Sequence, residues 1–143
     1  MKTVGVVYAI LSAVFWGLVY TIDQKVLEKT SPFALLFINS VFVLIISLPL
    51  LIVDPQSIKT IFSSGRQNLG LIFLAVVLSA LANYLIFASI KVLGASIASS
   101  FEIAYPFFVI LFSALIFKSG INVQFLIGSV LIFLGSLIII KFS

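Results

Sequence analysis

Residues 94–117 read GASIASSFEIAYPFFVILFSALIF, an uncharged run broken by one carboxylate, Glu102. At about 1.5 Å of rise per residue, a helix of this length covers the roughly 30 Å hydrocarbon core of a bilayer. The run is apolar on nearly every face and lacks the period-2 alternation of a membrane barrel, so it predicts a transmembrane helix. Outward from it, residues 3–22, 32–53, 69–90 and 123–140 are stretches of similar length with no Asp, Glu, Lys or Arg. The expected fold is therefore an all-α integral membrane protein, a bundle of five transmembrane helices in a single membrane domain over 1–143. An odd number of spans places the termini on opposite sides.

Composition agrees. Hydrophobic residues make up 63% of the chain and charged residues 8%, against about 25% charged in an ordinary soluble domain. So little polar surface cannot cover a soluble globule, and disorder needs the opposite balance. With no cysteine and no histidine, disulfides, Cys/His metal sites, a thiol nucleophile and a histidine base are all excluded. No nucleophile–base pair can be assembled and no Walker motif is present, so the chain reads as neither a hydrolase nor an ATPase, and no cofactor or metal is expected. The eight basic residues are spread along the sequence, which is not the clustered patch of a nucleic-acid binder.

The breaks between spans carry turn chemistry. Ser31-Pro32 is a helix start, with Ser as cap and Pro in the first turn. Residues 54–68 form the longest break, with a short interfacial helix expected over 57–62. Tight turns are expected at 91–94 and at Lys118-Ser119-Gly120. The first span is too long for a cleavable signal peptide and has no small-residue cleavage site before a soluble domain.

Basic residues set orientation by their excess on the cytoplasmic side. Here Lys2, Lys59, Arg66 and Lys118 fall on one side and Lys25, Lys29, Lys91 and Lys141 on the other, so the bias is zero. Either another determinant orients the chain, or it inserts both ways and two copies pair as an inverted dimer, the arrangement common in alternating-access transporters.

Several residues are candidates for chemistry. Glu102 lies about 12 Å past Gly94 along a helix, deep enough that a carboxylate calls for a function or a hydrogen-bonding tie between helices. Ser99, Tyr105 and Pro106 stand at i−3, i+3 and i+4 from it on one expected face. Pro106 has no N–H for the carbonyl of Glu102, so a kink is expected, either opening that carbonyl to a cavity or merely shaping the bundle. In the first span Tyr8, Ser12, Trp16, Tyr20 and Asp23 recur at steps of four, four, four and three. Trp16 reads as a cavity wall for a flat or cationic solute. Tyr8 and Tyr20 read as interfacial belt residues, and Asp23 as a surface group paired with Lys25 or Lys29. Asn39 suits a lock between helices, and Asn83 suits either such a lock or the cavity lining. Gly128 and Gly135, with Ser129 and Ser136, repeat at seven residues, a smooth stripe for close helix packing.

In order and spacing the chain resembles one EamA repeat of the drug/metabolite transporter superfamily over essentially its full length. The resemblance rests on Trp16-Gly17 with Lys25 following, on Ser31-Pro32, and on Tyr84 with Ala88 and Lys91 in a Tyr-x-x-x-Ala-x-x-Lys pattern. Tyr105-Pro106, Phe125, Gly128 and Gly135 extend it. It departs at Lys118-Ser119-Gly120, where the family often has a Gly-Glu-Arg-like turn. Most family members look like two such repeats, fused and inverted. The resemblance implies a half-size secondary transporter for a small metabolite or amphipathic organic cation in a bacterial or archaeal plasma membrane, paired with itself or with a second short homologous chain. The alternative is a non-transporting scaffold or partner of another small membrane protein, using the same packing faces without a wet cavity.

Overall fold

The structure, a computed structural model, describes residues 2–120 and 122–142. Eight helices occur among them: α1 (Lys2–Leu27), α2 (Pro32–Ser47), α3 (Leu50–Val53), α4 (Pro55–Ser63), α5 (Arg66–Leu93), α6 (Ala95–Glu102), α7 (Tyr105–Phe117) and α8 (Val123–Lys141). They make five segments long and apolar enough to cross a membrane: Thr3–Leu27, Pro32–Val53, Arg66–Leu93, Ala95–Phe117 and Val123–Lys141. The helices divide into two compact units, residues 26–88 and residues 1–25 with 89–143, the boundaries falling inside α1 and α5.

In the 26–88 unit, Ser31 caps α2 by accepting the Ala34 amide at 3.1 Å, with Pro32 in the first turn. The second span is interrupted where α2 ends at Ser47 and α3 begins at Leu50. Pro49 explains this break, because it has no N–H for the carbonyl one turn back and its ring crowds that carbonyl. The expected interfacial helix is α4. Asp54 caps it, accepting the Ser57 hydroxyl at 2.5 Å and the Ser57 amide at 3.1 Å. The same two bonds, hydroxyl first, hold the Asp54 carboxyl below its ordinary range. Gly65, at φ +90, ends the segment. Phe33 of α2 meets Tyr84 of α5 at 4.4 Å between ring centroids.

In the other unit, α6 and α7 both pack on α8. Ala95, Ala98 and Ala104 are buried, and such small side chains let helices approach closely. The Ser136 hydroxyl of α8 donates to the Ser100 carbonyl of α6 and to its own-helix Ile132 carbonyl. The expected turn over 91–94 reduces to one residue: α5 continues to Leu93, and Gly94 at φ +82 separates it from α6. α7 ends on Lys118 in the left-handed conformation, φ +51. Most large apolar side chains, such as Phe15, Phe73 and Phe117, remain exposed, as befits helices whose outer faces meet lipid or another chain.

Two further boundaries differ from the sequence expectation and bear on the site. α1 runs on to Leu27 rather than stopping at Ile22, so Asp23 is not on a polar loop but inside the first span, 6% exposed. The fourth span is two helices rather than one kinked helix, with Ile103 and Ala104 between α6 and α7. Pro106 sits in the first turn of α7, where its missing N–H costs nothing.

Candidate functional site

The polar groups of the 1–25/89–143 unit converge between α1 and α6. Tyr20 is 8% exposed, and its hydroxyl donates to Oε2 of Glu102 at 2.5 Å. One turn earlier on α1, Trp16 lies 5.4 Å from the Tyr20 ring, tilted by 45°. One turn later, Gln24 accepts the Ala95 amide at 2.6 Å. That amide is one of the donors a helix N-terminus leaves unpaired, so Gln24 acts as a cap supplied from another helix. The residue numbers rise along α1 from Tyr20 to Gln24 and fall along α6 from Glu102 to Ala95, so the two helices run antiparallel here.

Glu102 itself is exposed, and Trp16 is 47% exposed. The carboxylate therefore has one oxygen tied to α1 and a face still open to a ligand. An indole beside an accessible carboxylate can hold a cation from two sides, by charge and through the ring face.

The other sequence candidates lie elsewhere. Ser99 is half-buried on α6, its hydroxyl turned to the Ser96 carbonyl at 3.2 Å. Tyr105 is beyond the break, 61% exposed, and with Pro106, Val109, Ser113, Asn122 and Phe125 it lines an open cleft of about 350 Å³ that Glu102 does not line. The i+3 relation of Tyr105 to Glu102 holds only on a continuous helix, and the break removes it. Asn83 belongs to the 26–88 unit, half-buried, with its amide donating to the Ser79 carbonyl at 2.8 Å. Asn39, in the same unit, is also half-buried. On α8 the buried positions are Ser129 and Ser136, at 3% and 2% exposed. A Cβ added at Gly128 or Gly135 would meet nothing within 4 Å.

Tyr20, read from sequence as a belt residue, is thus the buried partner of Glu102. Gln24 lies two residues past the expected end of the first span, where the sequence alone marks it as loop. The four-residue step from Tyr20 to Gln24 continues the stripe through Trp16 and Tyr20 and is the signal that could have found it.

The EamA-like transporter family matches residues 3–141 of the chain. An uncharacterized transporter of Clostridium kluyveri is 29% identical over 137 residues, which cover 94% of this chain and 43% of the relative. The chain thus spans less than half the length of the curated relative it matches. No solved structure matches it.

Proposed function

The chain belongs to the EamA-like transporter family, and from that premise we propose that it is a secondary transporter subunit moving a small metabolite or amphipathic organic cation by alternating access. The observation that carries the reading is the Tyr20–Glu102 hydrogen bond inside the first and fourth spans, with the tilted Trp16 ring alongside. Glu102 takes the positive charge of the cargo or the coupled proton, Trp16 covers the cargo's flat or methylated face, and Tyr20 orients the carboxylate. Ser99, on the same helix as Glu102, extends the cargo pathway. A second unit of this size, from another copy or a second short homologous chain, completes the cavity, and the even division of basic residues supports an inverted pair.

The test is uptake into proteoliposomes under an imposed proton gradient, across a panel of organic cations and neutral metabolites. Glu102→Gln keeps an acceptor for Tyr20 but removes the charge. It is expected to lower cation uptake roughly tenfold or more, the scale of one lost charge-assisted bond, with unchanged expression and dimer content. Uptake equal to the unmodified chain removes Glu102 from the mechanism. Absence of uptake for every solute, together with a cysteine at Ser99 inert to a water-soluble thiol reagent, favours the scaffold reading instead.

A further inference from the structure

α1 carries a second intramembrane carboxylate that the Tyr20–Glu102 pair does not use. Asp23 is 6% exposed, and its Oδ2 has no hydrogen-bond partner among the described residues. It stands three residues after Tyr20, on the same side of α1 and about 4.5 Å further along its axis. The titratable groups arrayed near it are Tyr20 on α1 and, through the Tyr20 hydroxyl, Glu102 on α6. Gln24 is engaged with the α6 N-terminus. Lys25 projects about 200° around α1 from Asp23, and Lys91 closes the last turn of α5.

A carboxylate enclosed in this way, with an oxygen that no described residue satisfies, is stable only when its charge is neutralised. A metal cation would need several oxygen ligands, and no group of three or more acidic residues converges among the described residues. A proton needs only the orphaned oxygen.

We propose that Asp23 is a second proton-exchanging carboxylate of this chain, one helical turn from the Tyr20–Glu102 pair. On uptake, Oδ2 takes a proton from water and the group passes from charge −1 to 0; on release it returns the proton to water. The exchange itself needs no cargo. Its coupling to transport rests on the reading above, and there two exchangeable protons per chain fit a cargo with two basic nitrogens better than a neutral solute.

The first arm of the test is independent of cargo. Dicyclohexylcarbodiimide, a lipid-soluble reagent, modifies protonated carboxyl groups within membranes. The purified chain in liposomes is labelled across a pH series and the adducts are mapped by mass spectrometry. An adduct on Asp23 that declines as pH rises is expected, persisting in Glu102→Gln and in Asp23→Glu and lost in Asp23→Asn. No adduct at position 23 at any pH, or one that does not vary with pH, overturns the proposal, whatever happens to transport. The second arm is the proton-to-solute ratio in proteoliposomes, expected to fall by one per chain in Asp23→Asn; an unchanged ratio overturns the role in coupling alone. Should Asp23→Asn fail to assemble, Asp23→Glu carries both arms, with label and ratio retained if the proposal holds and lost if it does not.

Discussion

Replacing Tyr20 with Phe removes one hydroxyl and little else. The ring that meets Trp16 at a tilt remains, and so does nearly all of the volume. What is lost is the 2.5 Å bond to Glu102, a tie between α1 and α6 across 82 residues of sequence. Bonds to charged groups in soluble proteins contribute about 1.5–3 kcal/mol, whereas side-chain bonds between membrane helices average about 0.6 and reach about 1.7 kcal/mol. Glu102 lies within the fourth span, so the scale for membrane helices is the one that applies. Tyr20→Phe in the unmodified chain should therefore destabilise by about 1 kcal/mol.

The same change made in Glu102→Leu should have the opposite sign. There the Tyr20 hydroxyl, at 8% exposure, is left without its acceptor, and an enclosed unpaired hydroxyl costs about 1–3 kcal/mol. Removing it recovers part of that loss. The assay is reversible unfolding in mixed micelles with increasing SDS, followed by the fluorescence of Trp16, the one tryptophan in the chain. If Tyr20→Phe destabilises both backgrounds by the same amount, within the ~0.3–0.5 kcal/mol of ordinary additivity, the two groups do not interact and the candidate site is wrongly assembled.

Two further outcomes follow from the backbone and from the charges. Gly94→Ala should destabilise by about 1–3 kcal/mol, because φ +82 and ψ 160 suit glycine alone while the new Cβ would only touch Gln24 Oε1 at an ordinary 3.6 Å; Gly70→Ala, inside α5 with open space around it, should be neutral or stabilising by up to ~1 kcal/mol, and equal losses at both positions in the same SDS titration would contradict this assignment of strain. Tags on both termini, probed from each side of the membrane, should report both orientations in comparable amounts, and Lys91→Gln with Lys141→Gln should shift the population to one of them; a single orientation before the change refutes dual insertion.

The spans were legible because hydrocarbon forbids charge, so the positions of twelve charged residues delimit helices almost unaided. The end of α1 was not. Asp23 and Lys25 look like loop residues, yet the helix continues through them to Leu27, with Asp23 and Leu27, four residues apart on one face, buried. Pro106 announced a disturbance but not its form, and Pro49 acts the same way in the second span. The stripe on α8 was visible as a period of seven, but Gly128 and Ser129 share that period about 100° apart on the helix, and periodicity does not choose which of them faces inward. The Tyr20–Glu102 bond joins two positions with no local relation in sequence, so only the fold could disclose it.

The size of that bond also bounds what it can do in a transport cycle. Lipid offers no hydrophobic drive between helices, so α6 is held by specific polar ties: to α1 at both its ends through Gln24–Ala95 and Tyr20–Glu102, and to α8 through Ser136–Ser100. Under the proposed function, a cation or proton taken up by Glu102 competes with Tyr20 for the carboxylate and weakens one of these ties. Moving a two-state equilibrium from 1:99 to 99:1 takes about 5.5 kcal/mol of differential interaction. One bond of about 1 kcal/mol, or about 2 kcal/mol in a pair of chains, shifts it only about 5- to 30-fold. The Tyr20–Glu102 bond can bias alternating access but cannot drive it. The remaining few kcal/mol must come from other interactions that differ between the two states, proton exchange at Asp23 and cargo contacts among them, with the Trp16 face supplying about 0.5–2 kcal/mol of it for a cation. A solute that engages Glu102 but is too small to reach Trp16 should accordingly bind without being carried.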